Sequence, residues 1–170
     1  ELPARALNLG TKLGSSDNLV ALIVNHRDVL LIGEVTTEDW VNVGTFPFPF
    51  LIIPGTSMQH GCTAPRSVAR LGESAAWLSQ DTRGQAIVIM MNGYAPKRIS
   101  TFAVEQAISR YTTVTDAIGF TYQQAGHEFY VLTFPSADVT WCYDLATELW
   151  HKRAWRDGAN ILHRHRGNCV

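Results

Sequence analysis

The densest cluster of side chains able to do chemistry lies near the end of the sequence, in His163-x-His165-x-x-x-Cys169, with His151 upstream of it. Neutral imidazoles and a thiolate are zinc ligands, and alternate residues of a strand share a face, so His163 and His165 are spaced to hold one ion. Arg164 and Arg166 interleave with them, no fourth ligand is assigned, and the spacing matches no zinc module. The preferred reading is a polar strand at an interface, with His163, Arg164, His165 and Arg166 meeting acidic groups or phosphate. No metal and no cofactor is assigned. His60-Gly-Cys62 has the residue types of a Cys/His nucleophile pair, but no third group and no strand-turn-helix context accompany it. Chance proximity is the better account.

Carboxylates at Asp81, Asp116, Glu128 and Asp144 are of the kind that a glycosidase sets across a cleft. Most of them fall where turns and strand ends want acceptors. The glycines are scattered at turns and build no phosphate-binding loop. The stretch from His151 to Arg166 mixes Lys/Arg clusters with indoles, which suits phosphate contact or base stacking. A solvated, charge-balanced edge is the plainer interpretation, and a formal net charge of -1 offers nucleic acid or an anionic membrane no global attraction.

The elements that must position these groups read as strands. At 170 residues, 46% hydrophobic and 17% charged, the chain fits one domain with a substantial core and is not expected to be disordered. Three widely spaced cysteines, Cys62, Cys142 and Cys169, make neither a disulfide framework nor a redox pair. The longest apolar runs are strand-sized, so no membrane contact is expected. Residues 1–18 read as an N-terminal arm or loop and residues 19–170 as the folded domain.

Within that domain, Leu19 to Val24 and Val29 to Glu34 flank a polar turn and predict a hairpin, followed by a third strand over 35–43. A second unit is expected from Ser67 to Ser100, with a turn at Gln80 to Gly84 and Pro96 marking an edge or entry position. Strands near 116–123, 128–134 and 140–145 make a third, and Ile161 to Arg166 reads as a closing strand that can complete a blade begun elsewhere. The one helix spans Thr101 to Tyr111, where Val104, Ala107, Ile108 and Tyr111 form an apolar stripe and Ser100 or Thr101 is available as N-cap. Between units, Thr45 to Gly55 is apolar and punctuated by proline. Its Phe46, Phe48 and Phe50 either plug a gap between sheets, the preferred use, or form a contact surface.

The stretch from Thr140 to Trp155 organises the rest. Trp141, Tyr143 and Leu145 fall on one face, and Asp144-x-x-Thr147-x-x-Trp150 places side-chain acceptors at a tight corner beside an indole. Leu31 to Trp40 laid on Trp141 to Trp150 matches without a gap at Thr37/Thr147, Glu38/Glu148 and Trp40/Trp150. Thr37, Glu38, Trp40, Asp144, Thr147 and Trp150 are therefore assigned as structural corners. The period of the units predicts an all-β, β-propeller-like set of antiparallel sheets, about three blades over 19–60, 67–112 and 116–166, with one short helix.

Several stretches together resemble the packaged-DNA stabilisation, or tail hub, proteins of short-tailed bacteriophages. They are Asn25 to Trp40, His60 to Val68, Ala76 to Asp81, Asn92 to Thr101, and Gly126 to Pro135 running on through Trp150. The resemblance implies a structural virion protein, assembled in the host cytoplasm, that closes the portal and retains packaged DNA. It implies a homo-oligomeric ring that binds other tail and portal-adaptor proteins, with DNA near but not directly held. It brings no catalytic residue and no cofactor. That family's proteins are longer, so the chain resembles three blades of a ring that needs more. The alternative class is a carbohydrate-binding or glycoside-hydrolysing β-propeller with carboxylates and indoles around a central pocket.

Overall fold

The computed structural model describes residues 17–25, 27–46, 48–81 and 83–167. Most of the expected N-terminal arm, and Cys169 of the His/Cys cluster, lie outside the described residues. Strands β1 (Leu19–Asn25), β2 (Asp28–Gly33), β3 (Thr37–Asn42) and β4 (Phe50–Ile52) form the first sheet, in that spatial order. The second is β5 (Ala69–Leu71), β6 (Ser74–Gln80), β7 (Ala86–Asn92) and β8 (Ala95–Arg98), again in chain order. The third holds β9 (Ile118–Gln124), β10 (His127–Phe134), β11 (Val139–Asp144), β12 (Leu149–Arg156) and β13 (Leu162–Arg164), each beside its neighbour in sequence. All pairings are antiparallel, because each connection within a sheet is too short to carry a crossover. This is an all-β architecture of stacked, propeller-like meanders with one short helix.

Side-chain alternation explains the stacking. On β6, Ala75 and Trp77 point to the first sheet and Ala76 and Leu78 to the third, and all four are fully buried. Leu30 and Ile32 meet Trp77, Ile87, Ile89 and Met91 in one core. Leu78 and Val88 meet Tyr130, Leu132, Phe134 and Tyr143 in the other. A sheet buried on both faces needs nearly continuous apolar strands, and Ala86-Ile-Val-Ile-Met-Met91 in β7 is such a run. Polar ties cross the same seams: Trp77 Nε1 donates to Gly61 O at 3.1 Å, and Tyr130 Oη donates to Ser67 O at 2.7 Å.

The helix α1 (Phe102–Ile108) is shorter than the expected span. Val104 and Ile108 are buried, while Tyr111 lies past the helix end in a tightened turn whose N–H donates to Ile108 O at 2.9 Å. Thr101 occupies the N-cap position without a side-chain cap. The Ser100 hydroxyl is engaged elsewhere, donating to Glu105 Oε1 at 2.6 Å and accepting the Val88 N–H at 3.0 Å. Glu105, 2% exposed, is held by the Arg98 guanidinium, so the helix is tied to the end of β8 by a charged pair that is dry on one side only.

Two features differ from the sequence reading. Strand β13 pairs with β12 through Ala154/Arg164 and Trp155/His163, so it widens its own sheet and completes no other. The two corners are also out of step with the internal match. Ile32 pairs with Thr37 across the first, and Asp144 with Leu149 across the second, so equivalent turn positions sit two residues away from the gapless alignment. A slip of two keeps every side chain on its face, which is why the match looked consistent.

Candidate functional site

The carboxylates that might have converged on a cleft are committed to separate turns. Asp81 Oδ1 accepts the N–H groups of Arg83 at 2.9 Å and Gln85 at 2.8 Å. Asp116 Oδ2 accepts the N–H and hydroxyl of Ser136 at 2.8 and 2.7 Å. Glu128 Oε1 accepts the Gly72 N–H at 2.6 Å, joining the third sheet to the second. Each therefore replaces a missing backbone partner. His60 and Cys62 are likewise engaged apart: His60 O accepts the Thr37 hydroxyl at 2.7 Å, and the Cys62 thiol donates to Ala64 O at 3.0 Å. Burial pushes the Cys62 thiol up, away from the thiolate that a nucleophile needs. Among the described residues, no group of three His, Cys, Asp or Glu is arranged to hold a metal ion.

At the second corner Asp144 Oδ1 accepts the Ala146 N–H at 3.0 Å, while Oδ2 accepts the Thr147 hydroxyl at 2.9 Å and faces His127 Nδ1 at 2.8 Å. Burial works against the ionised carboxylate, but these hydrogen bonds outweigh it and hold Asp144 below the ordinary range. Trp150 Nε1 donates to Ile99 O at 2.8 Å, pinning the third sheet to the second. Replacing Trp150 with Phe keeps most of the packing and removes that donor, at an expected cost of about 1 kcal/mol in urea unfolding.

The first corner is built differently. Its N–H groups at Val35 and Thr36 donate to Asp17 Oδ2 at 2.8 and 2.9 Å, so the capping carboxylate comes from before β1. Thr37, Glu38 and Trp40 are buried, and Trp40 Nε1 donates to Glu38 Oε2 at 3.0 Å. Asp39 is 2% exposed, with Oδ2 unpartnered. Burial, with the nearby Asp28 charge, pushes its carboxyl up to about 6. A raised carboxyl contributes stability that is present below the unfolded value of 3.8 and lost as pH rises through about 6. Asp39→Asn should therefore flatten the decline in unfolding midpoint between acidic and neutral pH, measured by urea titration at several pH values.

The His/Arg strand assembles a clasp. His163 Nδ1 lies 2.8 Å from Asp138 Oδ2 and Nε2 lies 3.3 Å from Asp157 Oδ2, bridging the turns on either side of it. Arg164 N donates to Asp138 Oδ1 at 3.1 Å, and His165 N donates to Thr140 Oγ1 at 3.0 Å. Arg166 stacks over Trp155, 3.8 Å from the ring centroid. Hydrogen bonds to Asp138, then to Asp157, raise the His163 pKa. The backbone N–H of Arg164 lowers Asp138 and that of Ile161 lowers Asp157. The raised histidine contributes stability that is fully present below its unfolded value of 6.5 and is lost as pH rises through the higher folded value. His163→Gln should remove that component, leaving the thermal midpoint less dependent on pH across this range.

In the Thr45–Gly55 connection, Phe46 is 93% exposed. Phe48 packs edge-on against Trp40, with ring centroids 6.1 Å apart, and Phe48 and Phe50 lie 5.9 Å apart. Two features were not foreseen in the sequence. One is an aromatic and basic cluster on the outer face of the third sheet. Tyr122 stacks on Phe129 at 5.0 Å, and the Arg153 guanidinium lies 4.8 Å over Tyr122. The other is the apolar outer face of the first sheet, with Leu22 57% and Val24 51% exposed. The signal for the second was present: Leu19-Val-Ala-Leu-Ile-Val is apolar at both parities, as a strand covered on both faces must be. Among the described residues no helix is long and apolar enough to cross a membrane.

Stacked antiparallel meanders whose carboxylates serve turns, and whose exposed groups are apolar and aromatic surfaces, define a β-propeller module built for contact with other proteins. The family described as Bacteriophage P22 Gp10, beta-propeller, matches residues 5–167, and the chain belongs to that family of phage structural proteins. No curated protein matches the sequence significantly.

Proposed function

We propose that this chain serves as part of a tail hub, a head-completion adaptor that closes the portal channel after packaging and retains the DNA. The observation that carries this reading is family membership over nearly the whole chain. The exposed Phe46 loop and the arginines at 164 and 166 are the surfaces offered to neighbouring tail and portal-adaptor proteins in a ring, and the module resides in the virion. The corner residues keep the blades rigid, which suits a plug under pressure from the packaged genome. No residue is assigned a catalytic part, and none a cofactor.

The test is DNA retention by filled heads assembled with and without the protein, read as nuclease-protected genome. Heads lacking it should package and then lose their DNA, and adding it back should seal them. Heads that hold their DNA equally well without it would overturn the adaptor reading.

A further inference from the structure

We propose that the outer face of the first sheet is the seat of a second copy of this chain, and that two copies close head to tail into one six-bladed ring. The inference rests on the propeller fold and not on the hub reading.

Leu22, Val24, Leu31, Trp40, Phe48 and Phe50 line a groove of about 460 Å³ on that face. The opposite face of the same sheet is already packed on the second sheet through Leu30 and Ile32. The first sheet is thus apolar on both sides, as a layer between two others must be.

The direction of stacking says which surface covers it. Trp77 of the second sheet faces the first, and Trp141 of the third sheet lies in the core facing the second. Trp40 holds the corresponding side of the first sheet, turned toward a layer that would precede it. Each sheet so places an indole toward its predecessor. The free side of the opposite sense is the outer face of the third sheet, where Phe129, Tyr122 and Arg153 stack beside His151. Joining these two faces continues the order first, second, third across a chain boundary. Joining two first sheets to each other would reverse it.

Blade number fixes how many copies take part. Propellers close with about 4–8 blades, and sheets in threes reach that range as a whole number only at six, with two copies. The two contacts are then identical, and the ring has two-fold symmetry with no apolar face left open.

The experiment is sedimentation of the 170-residue chain, followed by thiol cross-linking. The mass should be twice the 18.9 kDa of one chain. Leu22→Lys and Val24→Lys, at positions half-exposed within one copy, should weaken dimerisation by at least about tenfold while leaving the circular dichroism unchanged. In a Cys169→Ser background, a short bismaleimide should link copies carrying both Leu22→Cys and His151→Cys and fail on Leu22→Cys alone. A folded monomer at high concentration would overturn the proposal, and so would efficient linking of Leu22→Cys alone, which reports two first sheets face to face. Loss of DNA sealing in heads with dimerisation intact would count against the adaptor function and leave the ring standing.

Discussion

Trp77→Ala should cost about 4 kcal/mol of folding stability, the largest loss expected from any single truncation here. The indole is fully buried between the first and second sheets, among Leu30, Ile32 and Ile89, and its Nε1 satisfies the carbonyl of Gly61. Truncation removes that packing, leaves a cavity too enclosed to collapse, and strands a buried acceptor. For a protein whose net stability is of order 5–15 kcal/mol, that is a large share. Urea unfolding followed by tryptophan fluorescence and by circular dichroism checks it. Trp77→Phe should recover most of the packing and little of the hydrogen bond, falling between the two.

Gly61→Ala should be comparably damaging for a different reason. A Cβ at this position would sit 2.2 Å from the carbonyl carbon and oxygen of Glu34 and 2.4 Å from the Val35 nitrogen. Those are backbone atoms at the first corner, which Asp17 and the Cys62-to-Gly33 hydrogen bond hold in place. Neither side can yield without breaking that corner, so the cost should be at least about 3 kcal/mol, at the upper end of overpacking effects. Gly119, whose Cβ would lie 2.3 Å from Ser67 O, is the matching contact between the second and third sheets. By contrast Gly93→Ala meets no atom within 4 Å, but its φ of +61° makes it a mild backbone effect. Comparing Gly61→Ala with Gly93→Ala in the same unfolding assay separates inter-sheet contact from turn strain.

The meander could be read in the sequence because its signals are local. Alternating side chains along Thr140 to Asp144, and the turn residues at Gln80 to Gly84, act within a few residues of themselves. The Asp144 corner is of the same kind, since its carboxylate bonds Ala146 and Thr147. The first corner was harder because its acceptor is Asp17, brought in only by the fold. Likewise, nothing adjacent to His163 announces Asp138, which reaches it from the turn between β10 and β11. Reading His163 to Arg166 as an outward-facing strand missed that its partners lie within the chain. The internal match at Trp40 and Trp150 misled in register because a two-residue slip leaves the buried face intact. Fold and family were thus within reach of local pattern and resemblance, whereas the wiring between sheets belongs to tertiary contact.

The central claim is that this chain is a propeller module at the junction of phage head and tail. Imaging of intact virions by electron cryomicroscopy, at a resolution that separates strands, tests it most directly. Stacked antiparallel sheets, fitted by the blades described here, should appear in a ring that closes the channel below the portal. Virions whose portal channel is closed by other density, with this chain absent or placed elsewhere in the particle, would contradict it.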